Sequence, residues 1–536
     1  MNAEYWKEEL QEFQEKTRAF YAGDLSLKDY KGFSGLFGSY AQKGGERSML
    51  RLRMPAGCVS KERLKWTVEM IRRYHVPRVH VTTCQTIQLH DLPEDAVCAL
   101  VPEALDAGIM VMGGGGDYPR NVMCSPLSGV EKDEYFDVRP WALAAAAYLL
   151  GFIRKEKMPR KLKVGFSNSP ANISHATYRD LGFAARPDGL FDVYSAGGLG
   201  MNPRFGVKVA EGIEPEKILY YIKAMWLTFL AHGNYENRAK ARTRYMQESL
   251  GGPEEYKKAY LQKLEEVFAS GENLDLSVEH AGGQITCSWK EFEGEGIDIK
   301  GSVSEPVNKQ GDSQPPESWR VLEQKQEGLY TVLWHPFGGQ PTVEELTALY
   351  EAIAGMEEVE LRLSPDESIY IVNLTGEEAR KVLDVTKGGA ETVFETSVSC
   401  IGAGTCQIGL RDSQALLQAC IQAVREAELP GDTLPQMHIS GCPSSCGTLQ
   451  TGVIGFRGGG KLVDKKPQSA FVLYVGGNEH QGRETMGKEI GTILESQIPE
   501  FIVKLGREVE KSGMGFDAWR ESHPHGIEEI AEPYIG

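Results

Sequence analysis

Four cysteines in the last third of the chain, Cys400 and Cys406 in SCIGAGTCQIG and Cys442 and Cys446 in SGCPSSCGTLQ, form a C-x5-C…C-x3-C set. Four thiolates gathered from two short loops can hold a [4Fe-4S] cluster, and the small neighbours Gly402, Gly404, Gly441 and Gly447 would let backbone N–H groups approach the sulfurs. A structural zinc site is the rival. Zinc knuckles space their cysteines by roughly two to four residues, so x5 with x3 favours the cluster. Four unrelated buried thiols are a third reading.

These loops resemble those of a known family. GCPSSCG and its partner pair are similar to the siroheme and [4Fe-4S] loops of the nitrite and sulfite reductases, whose last cysteine also reaches the siroheme iron. The resemblance implies that Cys446 bridges cluster and siroheme, and that Cys400, Cys406 and Cys442 are cluster ligands only. It also implies two cofactors, siroheme and a [4Fe-4S] cluster, and a six-electron reduction of sulfite to sulfide or nitrite to ammonia. Electrons would come from a separate donor protein such as ferredoxin.

Reducing a small oxyanion requires positive side chains that first attract it and then supply protons as its oxygens leave as water. Arginine keeps its charge and clamps two oxygens, whereas a desolvated lysine can give up a proton. The family's two arginines and Lys-x-Lys have counterparts in Arg51 of MLRLRMP, Arg120 of DYPRNVMC, and Lys161 with Lys163 of MPRKLKVGF. Alternation of the two lysines with Leu162 puts both on one strand face, a pattern that an exposed sheet edge would share. Lys163 adds a charge that suits dianionic sulfite over monoanionic nitrite, although family members with this lysine use either anion.

A cofactor with many carboxylates needs cationic and N–H partners when buried. Arg78, His80 and Thr82 of one strand, Gln88 of the next, and Arg242 in ENRAKARTRYM are assigned to siroheme, with Arg238 and Arg244 nearby. The chain departs from the family at VTTCQTIQLH, where Cys84 stands in place of an arginine that grips a siroheme carboxylate. In the second repeat, SPDES replaces a polar cofactor contact, and Asp366 and Glu367 are not expected to substitute for it.

Stepping outward to the elements, MLRLRMPAG is followed by a helix over 60–74, strands over 78–83 and 86–90, and a helix over 94–105. The same order returns about 281 positions later from YTVLWHPFGG, matching Pro55 with Pro336 and Gly57 with Gly338. Two β-α-β-β-α halves, neither able to bury both faces of its sheet alone, would pack on each other. The expected class is α/β (α+β): two ferredoxin-like half-domains paired by pseudo-twofold symmetry, plus two mixed α/β cofactor-binding lobes. The boundaries are 1–115 (N-terminal helix and first half), 116–300 (siroheme and substrate lobe), 301–325 (Pro/Ser/Gly-rich linker), 326–389 (second half) and 390–536 (cluster lobe). Cys420, in a helix over 413–427, reads as a core residue.

A net charge of −17 with no long basic run disfavours nucleic acid. It also means that an acidic ferredoxin would need a local basic patch, for which Lys461, Lys465 and Lys466 are candidates. The most apolar stretch, 142–153, is too short to span a bilayer, and the charged N-terminus has no apolar targeting core, so the expected location is the cytoplasm with no membrane partner. Ten cysteines, four of them clustered, fit a reducing compartment rather than a disulfide framework. GGGGD and SAGGLG lack the spacing of a dinucleotide loop, which argues against NAD or FAD. Two rival classes stand beside the enzyme: a non-catalytic iron-sulfur electron carrier and a zinc-stabilised binding module.

Overall fold

The computed structural model describes residues 2–281, 284–288, 309, 311 and 314–535. In chain order the first part carries α1 (Lys7–Ala22), α2 (Leu27–Ser34), β1 (Ser39–Ala41), β2 (Ser48–Arg53), β3 (Cys58–Val59), α3 (Lys61–Arg73), β4 (Arg78–Val81), β5 (Thr86–Leu92) and α4 (Glu94–Asp106). Strand order is β1-β2-β5-β4. Period-2 alternation sorts its residues: Leu50, Leu52, Val79, Val81, Ile87 and Leu89 enter the core, which leaves Arg51, His80, Gln88 and His90 on the opposite face.

The next segment holds β6 (Met123–Cys124), α5 (Arg139–Leu150), β7 (Val164–Ser167), β8 (Leu181–Ala185), β9 (Phe191–Ser195), β10 (Val207–Ile213), α6 (Ile218–His232), α7 (Tyr245–Ser249), α8 (Pro253–Ala269), and the hairpin β11 (Ser277–Ala281) and β12 (Gln284–Ser288). The second half follows, with β13 (Val321–Glu323), β14 (Tyr330–Trp334), α9 (Val343–Ile353), β15 (Glu360–Leu363), β16 (Ile369–Leu374) and α10 (Gly376–Val385). Capping boxes start both helices of this half, Thr342 with Glu345 and Thr375 with Glu378. β13 pairs with β14, so residues 321–323, inside the stretch expected to be linker, extend the second half's sheet. Residues 301–308, 310, 312 and 313 of that stretch lie outside the described residues.

The halves are joined as the repeat requires. β3 of the first half adds to the edge of the second sheet beside β15, and one apolar core runs from Leu50 and Leu89 through to Val332 and Ile371. The match between halves is one residue off the sequence pairing. Ala56 and Gly57 adopt left-handed φ values of 55° and 74°, and their structural partners are Gly338 and Gly339, at 59° and 68°. Each glycine abuts the opposite half: a Cβ on Gly57 would lie 2.6 Å from the Leu363 carbonyl oxygen, and one on Gly339 would lie 2.6 Å from that of Val81. Matching proline to proline places Gly57 on Gly338, whereas the close approach fixes it on Gly339.

The last segment contains β17 (Val398–Ser399), α11 (Ser413–Glu426), β18 (Met437–Ser440), β19 (Ile454–Val463), β20 (Lys466–Val475), β21 (Lys488–Leu494), α12 (Ile498–Ser512), α13 (Phe516–Ser522) and α14 (Gly526–Ala531). Here the repeat goes further than the sequence reading. β17 to β21 run parallel, parallel, antiparallel, antiparallel, and β6 to β10 do the same. Each lobe has its own core. Cys420 is fully buried in the second of these, as expected.

Candidate functional site

A cavity of about 390 Å³ lies where the first sheet's polar face meets both lobes. Eight Lys and Arg side chains line it against two carboxylates, Asp180 and Glu367. In a chain of net charge −17, that concentration marks a site for anions.

The four thiols form one wall. Cys400 leaves the end of β17 and Cys442 follows β18, its parallel neighbour, so the two cysteine loops emerge side by side. The Gly441 N–H donates to Cys400 Sγ at 3.2 Å, the N–H to sulfur contact expected of these small residues. Position 441 tolerates nothing larger, because a Cβ there would lie 2.3 Å from the Arg411 carbonyl oxygen. Among the described residues no three His, Cys, Asp or Glu side chains converge closely enough for a single metal ion. The four thiols border the cavity from two adjacent loops, an arrangement that suits a cluster.

The cationic wall faces them. Arg51 Nη1 donates to the Gly114 carbonyl at 2.5 Å; Arg120 donates to the same carbonyl and to that of Gly116 at 2.9 Å. Burial, offset in part by the Tyr40 phenol, holds the Arg120 guanidinium down to about 10. Lys161 and Lys163 flank fully buried Leu162 and both line the cavity, so their alternation belongs to an internal wall and not an exposed edge. Burial and then Lys163, Arg242 and Arg120 push the Lys161 ammonium well below its ordinary value. Burial likewise lowers Lys163, whose Nζ lies 3.1 Å from Cys84 Sγ. Arg53, which the sequence pairs with Arg51, is instead structural: buried, it donates to the carbonyls of Met112, Pro119 and Arg120.

Two family models match the chain: the nitrite/sulfite reductase ferredoxin-like half domain over residues 40–107 and the nitrite and sulphite reductase 4Fe-4S domain over 115–268. These two matches and the relatives that follow support the nitrite and sulphite reductase family. It is 24% identical to the ferredoxin–nitrite reductase of Synechococcus elongatus over 82% of each chain. It is 25% identical to the sulfite reductase [NADPH] hemoprotein beta-component of Bacillus licheniformis, covering 83% of this chain and 80% of that one. The structure of Mycobacterium tuberculosis NirA shares the fold, with a TM-score of 0.72 at 20% identity over 97% of this chain and 95% of that one. The chain is therefore an oxidoreductase of nitrite or sulfite reduction. The matched 4Fe-4S segment covers the first lobe, whereas the cysteine set sits in the second, which repeats its topology.

Of the residues assigned to the cofactor, His80, Thr82, Gln88, Arg242 and Cys446 line the cavity. Arg78 does not. Its guanidinium pairs with Asp91 at 2.7 Å, so the period-2 count gives the correct face while the strand end carries the side chain past the rim. Arg238 is taken by Asp117, and Arg244 Nε donates to the Asn202 carbonyl. Arg242 donates to both oxygens of Asp180 at 3.0 Å.

Sequence reasoning missed Tyr40, Asn121 and Arg179 and set Glu367 aside; all four are on the cavity wall. Glu367, which the sequence sets aside as a cofactor contact, is held by groups of the protein itself. It is buried, accepts from the Ser399 N–H at 3.0 Å and meets His80 Nε2 at 3.3 Å, and burial raises its pKa. Its turn geometry could have revealed it, since Glu367 and Gln85 hold equivalent left-handed positions, φ 70° and 52°.

Proposed function

We propose that this cavity holds siroheme beside a [4Fe-4S] cluster and that the enzyme reduces nitrite, sulfite or both by six electrons, with Cys400, Cys406, Cys442 and Cys446 as cluster ligands and Cys446 reaching the siroheme iron. The observation that carries this reading is the meeting, in one cavity, of four thiols with Arg51, Arg120, Lys161 and Lys163. An electron carrier has no use for the cationic wall.

The wall also fits a polyanionic macrocycle. Buried polar atoms without a partner among the described residues recur on it: both ring nitrogens of His90, Arg120 Nε, Asn121 Oδ1, Arg242 Nε and Thr405 Oγ1. Orphaned groups of this kind are costly unless a ligand satisfies them. His80, Thr82, Gln88 and Arg242 would hold the macrocycle's edge.

When bound, the cofactors supply single electrons at an iron centre that coordinates the oxyanion. The remaining work belongs to side chains. Arg51 and Arg120 share the Gly114 carbonyl, which fixes both guanidinium planes and leaves their other N–H groups to bind the oxyanion. Lys161, with its ammonium destabilised by burial, is suited to release a proton from Nζ as each oxygen leaves as water.

The electron donor is a separate one-electron protein of ferredoxin type. It would approach beside Cys406, where Ile408 and Leu410 are 60% and 54% exposed and Lys31 and Lys43 bond to Gln407 and the Ala403 carbonyl. Lys461 is already committed to the carbonyls of Thr492 and Tyr534. No helix among the described residues is long and apolar enough to cross a membrane, and the cytoplasm is the proposed location. The domain division at 115, 300, 325 and 389 belongs to the same reading.

Side-by-side kcat/KM for nitrite and sulfite, on anaerobically purified protein reduced with a viologen dye, tests this function. Turnover of at least one anion supports it; turnover of neither overturns it.

A further inference from the structure

Cys84 sits in the β4–β5 turn with its backbone held on both sides. Its N–H donates to Thr82 Oγ1 at 3.3 Å, and its carbonyl accepts from Asn121 Nδ2 at 3.1 Å. The thiol is thereby fixed against Lys163 Nζ, 3.1 Å away. Three further cations act on it among the described residues: Lys161 ahead of β7, Arg179 ahead of β8 and Arg120 ahead of β6. The nearby carboxylate is spent elsewhere, because Asp180 accepts from Arg242, Thr243 and the Lys163 backbone N–H. Burial alone would push the Cys84 thiol up, but Lys163 and Arg179 outweigh it and hold the thiol down to about 6. A lysine paired with a thiolate presents no net charge to an approaching anion, whereas a free lysine presents one.

We propose that Cys84 determines anion specificity: as a thiolate paired with Lys163 it cancels that lysine's charge, leaving a site matched to monoanionic nitrite over dianionic sulfite. This rests on the oxyanion-reductase reading and reverses the expectation drawn from Lys163 alone. No bond is made or broken. The proton that a thiol would carry is lost to solvent, and Lys163 keeps its own.

The test is Cys84→Ser, which keeps the side chain's size and cannot ionise at neutral pH. With Lys163 unmasked, the ratio of kcat/KM for sulfite over nitrite, measured where sulfite is a dianion, rises roughly tenfold. Cys84→Ser combined with Lys163→Gln returns the ratio towards the wild-type value. Infrared difference spectra between wild type and Cys84→Ser read the pair without turnover. They show no S–H stretch from Cys84 at about pH 7.5 and show one at about pH 5. A ratio that stays within about twofold, or an S–H stretch present at the higher pH, overturns the proposal. If neither anion is turned over, the reductase reading fails by itself and the infrared band still decides whether the pair exists.

Discussion

Arg51 and Leu333 hold the same place in the two halves of the chain. Arg51 lies across from Gln88 on β2 and β5, and Leu333 lies across from Tyr370 on β14 and β16. One face lines the cavity. The other is apolar: Leu333, Tyr370 and Val372 pack on Val130. The fold thus offers two related sites and the side chains close one of them. A duplicated architecture with a cavity on one of the two related sheet faces follows from a few substitutions on the other.

Exchanging these residues should have unequal effects. Leu333→Arg buries a charge with no partner and is expected to cost roughly 3–5 kcal/mol. Arg51→Leu, at the cavity wall, should change stability by no more than about 1.5 kcal/mol while weakening anion affinity. Urea unfolding of both variants, with oxyanion binding by Arg51→Leu, checks the asymmetry.

Gln85 and Glu367 form a second matched pair. Gln85 donates to the carbonyls of Cys124 and Leu363 and accepts from the Cys124 N–H. Glu367, acceptor-only when ionised, takes the Ser399 N–H and meets His80 Nε2, and Gln414 serves the Ser399 carbonyl instead. Gln85→Glu would set a carboxylate against two carbonyls and is expected to cost roughly 2–4 kcal/mol, against about 1 kcal/mol or less for Glu367→Gln. Comparing denaturation midpoints at neutral pH reads the difference.

Acid sensitivity should trace to Glu360. Its carboxylate joins the second half to the first lobe, through Arg139 of α5 at 2.8 Å and Arg362 of its own strand at 2.6 Å. Although burial alone would raise it, Arg362 and Arg139 hold its pKa below the ordinary 4.5. A carboxylate lowered on folding contributes stability that is present above its unfolded value and lost as pH falls through the folded one. Glu360→Gln removes a buried carboxylate shared by two guanidinium groups, so it should cost about 3–5 kcal/mol at neutral pH and flatten the acid limb of the stability profile.

How far this was readable in the sequence depends on locality. The cysteine set, the Lys-Leu-Lys alternation and the polar face of β5 were legible, because spacing alone places such residues. The two halves were visible as a repeated element order, but their register was not, since the left-handed pair at Ala56 and Gly57 matches Gly338 and Gly339 by conformation while the prolines match by type. The repeat in the lobes was invisible because only strand direction carries it. Arg179 was missed and Glu367 set aside for a related reason: each reaches the cavity through a turn or a strand start, with no periodic neighbour to announce it. Cys84 was recognised as a departure, yet the cations that surround it come from three separate strand starts.

Lys161 should govern the alkaline limb of activity. Because burial and neighbouring cations lower its pKa, its protonated form is present at low pH and lost as pH rises through that lowered value, and kcat/KM should fall with it. Lys161→Arg, which keeps its proton, should shift that limb upward by more than about one pH unit, whereas Lys161→Met should reduce kcat/KM roughly 10²–10⁴-fold at all pH values. The pH dependence of kcat/KM for both variants separates proton supply from charge alone.

The most direct measurement is the iron, zinc and acid-labile sulfide content of the anaerobically purified chain, recorded with its visible spectrum. The account predicts about five irons and about four sulfides per chain, one iron in a macrocycle and the rest in the cluster, with siroheme bands. One zinc per chain, no labile sulfide and no visible absorbance would contradict it.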